Sequence, residues 1–174
     1  MALIKSVRGV EPVFGTNCWL ADNATVVGEV VMGQDCTVWF NAVVRGDVHS
    51  ITFGQRCNVQ DGAVVHCTYQ KHKTTIGNFV SIAHNAIVHG CTIEDRVLVG
   101  MGAIIMDGAV IGAGSIIAAG AIVTQNTIVP PGSIYAGNPA KFLKKVSDEQ
   151  AEVFMRTANN YVMYASWYAD SNTP

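Results

Sequence analysis

The chain has 174 residues, 49% of them hydrophobic and 14% charged, with a formal net charge of −2. That length supports one domain with a substantial core, and so weak a charge offers no general attraction to nucleic acid or anionic lipid. The five cysteines, Cys18, Cys36, Cys57, Cys67 and Cys91, are odd in number and lack C-x-x-C spacing, which argues against a disulfide framework.

Met1 to Val10 (MALIKSVRGV) has no apolar stretch of the kind a secretory signal needs, so a cytoplasmic location is expected. From Leu20 onward an apolar residue recurs at every sixth position. The first block is Leu20, Val26, Met32, Val38 and Val44; the second Phe53, Val59 and Val65; the third Ile76, Ile82 and Val88; the fourth Ile93, Val99, Ile105, Ile111, Ile117, Val123 and Val129. Small residues sit four positions behind them, as at Cys36, Cys57, Ala103, Ala109, Ser115, Ala121 and Ser133. Neither a helix nor a half-buried strand produces that spacing. A parallel β-helix does, with three hexads to each triangular coil and the apolar residue pointing inside.

The blocks are separated by frame shifts between Val44 and Phe53, Val65 and Ile76, and Val88 and Ile93, where chain must loop out or tighten. The largest excursion, Cys67 to Thr75 (CTYQKHKTT), is polar and basic, and an exposed loop beside any functional site is expected there. Gly108 to Ala140 carries no charge, yet Gly112, Gly114, Gly120, Pro130 and Pro131 interrupt it and the period runs through it, so no membrane span is expected. Ile134 to Ala140 (IYAGNPA) ends the repeat with turn residues. Ser147 and Gln150 then form a capping box, and Phe154, Ala158, Tyr161, Ala165 and Tyr168 line one face of a helix. The expectation is a single domain over 1–174: an all-β solenoid over about 10–140 and a helix over about 147–169 packed along it.

Stacking the hexads brings polar residues into register. Arg45, His66 and His89 each stand second in their hexads, at equivalent levels of successive coils, and form one outward column. Asp61 and His84, each third in a hexad, form another on the preceding side. Within one chain the two columns lie on different sides of the prism, but a ring closed by threefold rotation would bring the His84 side of one subunit to the His66 and His89 side of the next. Three imidazoles with an open fourth position make the ligand set of a catalytic zinc site. Fe²⁺ and Co²⁺ suit the same ligands. His49 and His72 fall outside the columns and read as exposed loop residues, and Cys67 reads as a packing residue rather than a ligand.

These residues are also where the chain resembles the gamma-class carbonic anhydrases and related left-handed β-helix proteins. The matching segments are Arg45-Gly46-Asp47, Asn58-Val59-Gln60-Asp61-Gly62 with His66, and His84-Asn85 with His89-Gly90. The resemblance implies a left-handed coil and a homotrimer with metal sites at the subunit interfaces, each using His66 and His89 of one chain and His84 of its neighbour. It further implies an Arg45 to Asp61 pair across the interface, Gln60 beside the metal-bound solvent, supporting roles for Asp47 and Asn58, and a tyrosine, Tyr168, reaching the site from the helix. Two features depart from the founding type: Val48 replaces a glutamate after the Arg-Gly-Asp, and CTYQKHKTT replaces a longer acidic loop with a shuttle glutamate. Met163 likewise replaces an asparagine.

The expected activity is that of a zinc carbonate dehydratase, interconverting CO₂ and bicarbonate through a hydroxide formed from zinc-bound water. Acyl transfer or thioester hydrolysis on coenzyme A substrates, and a non-catalytic zinc-bearing assembly role, are the alternatives.

Overall fold

The computed structural model describes residues 1–169. Two-residue strands separated by turns wind into a left-handed parallel β-helix, closed by one C-terminal helix. The hexad residues stack on three sides. Val26, Val44, Val65, Val88, Ile105 and Val123 pair coil to coil on the first. On the second, Met32, Phe53, Ile76, Ile93, Ile111 and Val129 do so. The third holds Leu20, Val38, Val59, Ile82, Val99 and Ile117. All of them from Val26 to Val129 are buried, so register slips are penalised at every coil. The frame shifts therefore leave the stacking intact.

Two of the shifts take forms the periodicity does not reveal. The first is a bulge within a continuous strand, Val43–Phe53, that runs beside Thr25–Met32 and rounds the corner between the first two sides. Gly28 makes this possible: its φ is +75°, and a Cβ there would collide with the carbonyl oxygen of Gly46. Because these long strands span the corner, the first two sides form one twelve-stranded sheet, and the third side belongs to a separate eight-stranded sheet. The second shift is the expected excursion, folded back on itself by an antiparallel bridge between Thr68 and His72.

At the two ends the solenoid exceeds the repeat. Leu3–Lys5 pairs with Thr25–Val27, and Lys141–Lys145 returns antiparallel to Ser133–Ala136. The helix spans Asp148–Ala169. At its start the Gln150 amide N–H donates to Ser147 Oγ at 3.3 Å while the Ser147 N–H donates to Gln150 Oε1 at 3.2 Å, so the capping box forms. Phe154, Ala158 and Ala165 are buried along its inner face, and the Tyr161 ring meets Trp39 edge-on at 5.2 Å. Among the described residues no helix is long and apolar enough to cross a membrane.

Candidate metal centre

His66 follows the buried Val65 and His89 follows the buried Val88, so both imidazoles leave the same side of the prism on adjacent coils, and the two residues are paired in register. The rings lie 5.1 Å apart between centroids, and His66 Nδ1 faces His89 Nε2 at 3.1 Å. Each outer nitrogen meets a carboxylate: His66 Nε2 lies 3.1 Å from Asp47 Oδ1, and His89 Nδ1 lies 2.6 Å from Asp107 Oδ1. A carboxylate only accepts, so both outer nitrogens carry the proton. With neutral rings, the inner nitrogens then present two lone pairs to one another. Facing lone pairs repel one another unless a proton or a metal cation lies between them.

The spacing suits one. Two imidazole nitrogens bound tetrahedrally to zinc at about 2.0–2.1 Å stand about 3.3 Å apart. Carboxylates behind the ligating histidines fix the tautomer and raise ligand basicity. Burial lowers the His66 pKa, outweighing the hydrogen bond to Asp47 that would raise it, and so favours the neutral ring that a ligand must be. For Asp47, burial alone would raise the pKa, but hydrogen bonds from Arg45 and His66 outweigh it and hold the carboxyl below the ordinary value. Asp107 behaves alike, its burial outweighed by bonds from Thr68 and His89. Both remain ionised at neutral pH.

A second group stands on the next corner. His84 Nδ1 lies 2.9 Å from Asp61 Oδ2, which turns Nε2 away from that carboxylate. Gln60 is buried beside it and donates from Nε2 to Asn58 Oδ1 at 2.9 Å, and Asn58 donates to Ser81 Oγ at 2.8 Å. Among the described residues of the single chain no three histidine, cysteine, aspartate or glutamate side chains converge on one point. The His66–His89 pair and the His84–Asp61 pair are thus separate groups of the single chain.

The columns read from the repeat therefore exist. Within the chain Arg45 donates to Asp47 Oδ2 at 2.6 Å and Asp61 meets His84, while the expected Arg45–Asp61 pair is one between neighbouring chains. His49 is not an exposed loop residue: it lies half-buried in the strand Val43–Phe53, and its Nδ1 accepts the Ser50 N–H at 2.8 Å. His72 is also half-buried, its N–H bonded to the Thr68 carbonyl. Cys67 is buried and donates to the His49 carbonyl, as befits a packing residue. Tyr168 packs tilted against Trp19 and edge-on against Trp39 and Phe40 at 5.3–5.8 Å; Phe40 accepts through its carbonyl the N–H of Gly62, next to Asp61. Sequence reasoning missed Asp107. Its signal was available: it stands one coil beyond Gly90, in a column where the other residues carry no charge.

Residues 90–125 match the family model described as bacterial transferase hexapeptide, six repeats. The chain is 50% identical over 146 residues to the "Probable carbonic anhydrase" of Methanocaldococcus jannaschii, which covers 84% of this chain and 91% of that one. It is 39% identical over 166 residues to gamma carbonic anhydrase 1, mitochondrial, of Arabidopsis thaliana, covering 92% of this chain and 60% of the longer plant protein. Among solved structures, a hexapeptide transferase family protein from Anaplasma phagocytophilum matches with a TM-score of 0.91 at 38% identity, over 95% of this chain and 98% of that one.

Proposed function

The chain belongs to the gamma-carbonic-anhydrase-like family of hexapeptide-repeat proteins, and from that premise we propose that it is a zinc-dependent carbonic anhydrase whose metal sites are completed between subunits of a homotrimer. The observation that carries this reading is the pair of inner nitrogens, His66 Nδ1 and His89 Nε2, 3.1 Å apart with both outer nitrogens held by carboxylates. His84, with Asp61 behind it, supplies the third ligand from the neighbouring chain. A divalent cation held by this set supplies Lewis acidity, lowering the pKa of bound water to about 7.

The chain's own residues do the rest. Asp47 and Asp107 keep the ligand tautomers fixed. Ile87, Ile104 and Met106 form the apolar wall of a recess of about 310 Å³ beside His89, which a neighbouring chain seated on that side would roof over to leave an apolar space for a small substrate without charge. Gln60, already polarised by its bond to Asn58, orients the reacting oxygen atoms from the His84 side. Arg45 neutralises Asp47 and becomes available to Asp61 when chains meet. Neither Val48 nor the excursion supplies a carboxylate, so Tyr168, His72 or external buffer carries the proton away.

Stopped-flow CO₂ hydration on protein of measured metal content tests the reading, with His89→Ala as control. Zinc-dependent turnover that disappears in the control is expected. Zinc bound stoichiometrically by an assembled trimer without turnover would overturn the anhydrase and favour an assembly role.

Acyl transfer is the second reading, favoured by the transferase description of the matched repeats and of the Anaplasma relative. Such chemistry needs one histidine free to accept a proton from the nucleophile. The inner nitrogens of His66 and His89 face each other, whereas His84, held through Nδ1 by Asp61, presents Nε2 for that role. Acetyl-CoA binding and turnover, measured on the same preparation, separates the two.

A further inference from the structure

Both ends of the excursion Cys67–Thr75 are fastened to the histidine pair. At its far end the fully buried Thr74 hydroxyl donates to the His66 carbonyl at 2.5 Å and accepts the Gly90 N–H at 3.0 Å, so one side chain links the backbones beside both imidazoles. At its near end the Thr68 hydroxyl donates to Asp107 Oδ2 at 2.7 Å, while Asp107 Oδ1 receives His89 Nδ1–H at 2.6 Å. Asp107 thus uses one oxygen on the ring and the other on the excursion. A short bond to a charged acceptor is stronger than a neutral one, and the carboxylate cannot swing without losing both partners.

We propose that Asp107 is a positioning residue for the metal-ligating ring of His89, and that Thr68 holds Asp107 in place, so that the excursion is a strut of the metal half-site. This rests on the metal reading given above. The hydroxyl of Thr68 acts only through Asp107: it touches neither imidazole, and its bond fixes which carboxylate oxygen faces the ring. Thr68 and Thr74 are the residues by which the excursion is fastened to the site.

The test is zinc affinity of the full-length assembled protein, measured by competition with a chromophoric chelator, together with the visible spectrum of the cobalt-loaded form. Asp107→Asn is expected to weaken zinc binding about 10- to 100-fold and to alter the cobalt spectrum. Thr68→Val is expected to weaken it by roughly fivefold, the value of one hydrogen bond of about 1 kcal/mol, and Thr68→Ser to restore it. In the double variant the Thr68→Val change should add nothing to Asp107→Asn, because its effect passes through that carboxylate. Should Asp107→Asn fail to assemble, the Thr68→Val and Thr68→Ser pair decides alone. Wild-type affinity and spectrum in Thr68→Val, additive losses in the double variant, or no zinc binding by the wild type would each overturn the inference. Zinc binding that follows the expected pattern without CO₂ hydration would sink the anhydrase and leave the positioning role standing.

Discussion

A Cβ on Gly90 would collide with Asp107 Oδ1 and come within 2.9 Å of the His72 Cβ, at a backbone φ of +55° that side chains rarely adopt. The glycine after His89 therefore provides the space in which the carboxylate reaches the imidazole. Gly90→Ala is expected to cost about 1–2 kcal/mol from the left-handed backbone and to push Asp107 off His89. A lowered melting temperature with faster zinc loss to a chelator would show both effects, whereas an alanine variant that keeps its zinc as the wild type does would separate the glycine from the site. Acid titration probes the same residues. The depressed pKa values of His66, Asp47 and Asp107 all mean that the unfolded chain binds protons more readily than the folded one, so stability rises with pH. Each contribution is complete above the unfolded pKa and is lost as pH falls toward the folded one. Metal-free protein should therefore begin to lose stability below about pH 6.5 through His66, and further below about pH 4 through the two aspartates. A melting temperature flat from pH 7 to pH 5 would contradict the assignment of His66.

Among the elements, the C-terminal helix is held by a cap and a narrow apolar face. Ser147→Ala removes the acceptor for the Gln150 N–H and should cost about 1 kcal/mol; Phe154→Ala empties a buried site and should cost about 3–5 kcal/mol. Thermal unfolding followed at 222 nm checks both, and an order reversed between them would mean that packing does not dominate the docking of the helix. The sequence made this helix legible because a capping box and a repeating face are local signals. The stacked strands were legible for a related reason: the interior of a β-helix admits one apolar residue per hexad, and frame shifts cannot disturb that rule without burying polar groups. Less was visible where geometry depends on chain between hexads. The bulge in Val43–Phe53 and the returning strand Lys141–Lys145 are defined by backbone pairing, with no period to announce them. His66, His84 and His89 could be placed in columns because each follows an interior residue closely. Asp107 escaped because it acts from the coil beyond, on a ring whose outer nitrogen no spacing rule identifies.

At the scale of the whole molecule, each coil contacts only its neighbours, so the solenoid is stiff along its length and its outward surfaces repeat. One of those surfaces is apolar. Val43, Val64, Ile87, Ile104 and Ile122 pair in succession down the side that carries His66 and His89, and Ile87 stays 36% exposed. An aliphatic ridge next to half a metal site suits burial against another copy of the chain, which would bring up the His84 group and close the ligand set. Ile104→Lys places a charge in the middle of that ridge without entering the core, since the adjacent Ile105 is the residue that points inside. The variant should keep its far-ultraviolet spectrum, sediment as a monomer and bind zinc at least tenfold more weakly, because a charge buried at an interface core without a partner is strongly disfavoured and the third imidazole departs with the neighbour. Sedimentation velocity with parallel zinc titration decides the matter. A monomer that still binds zinc as tightly as the wild type would mean that one chain holds the ion alone, and a trimer unaffected by the lysine would mean that the chains meet through some other side of the prism.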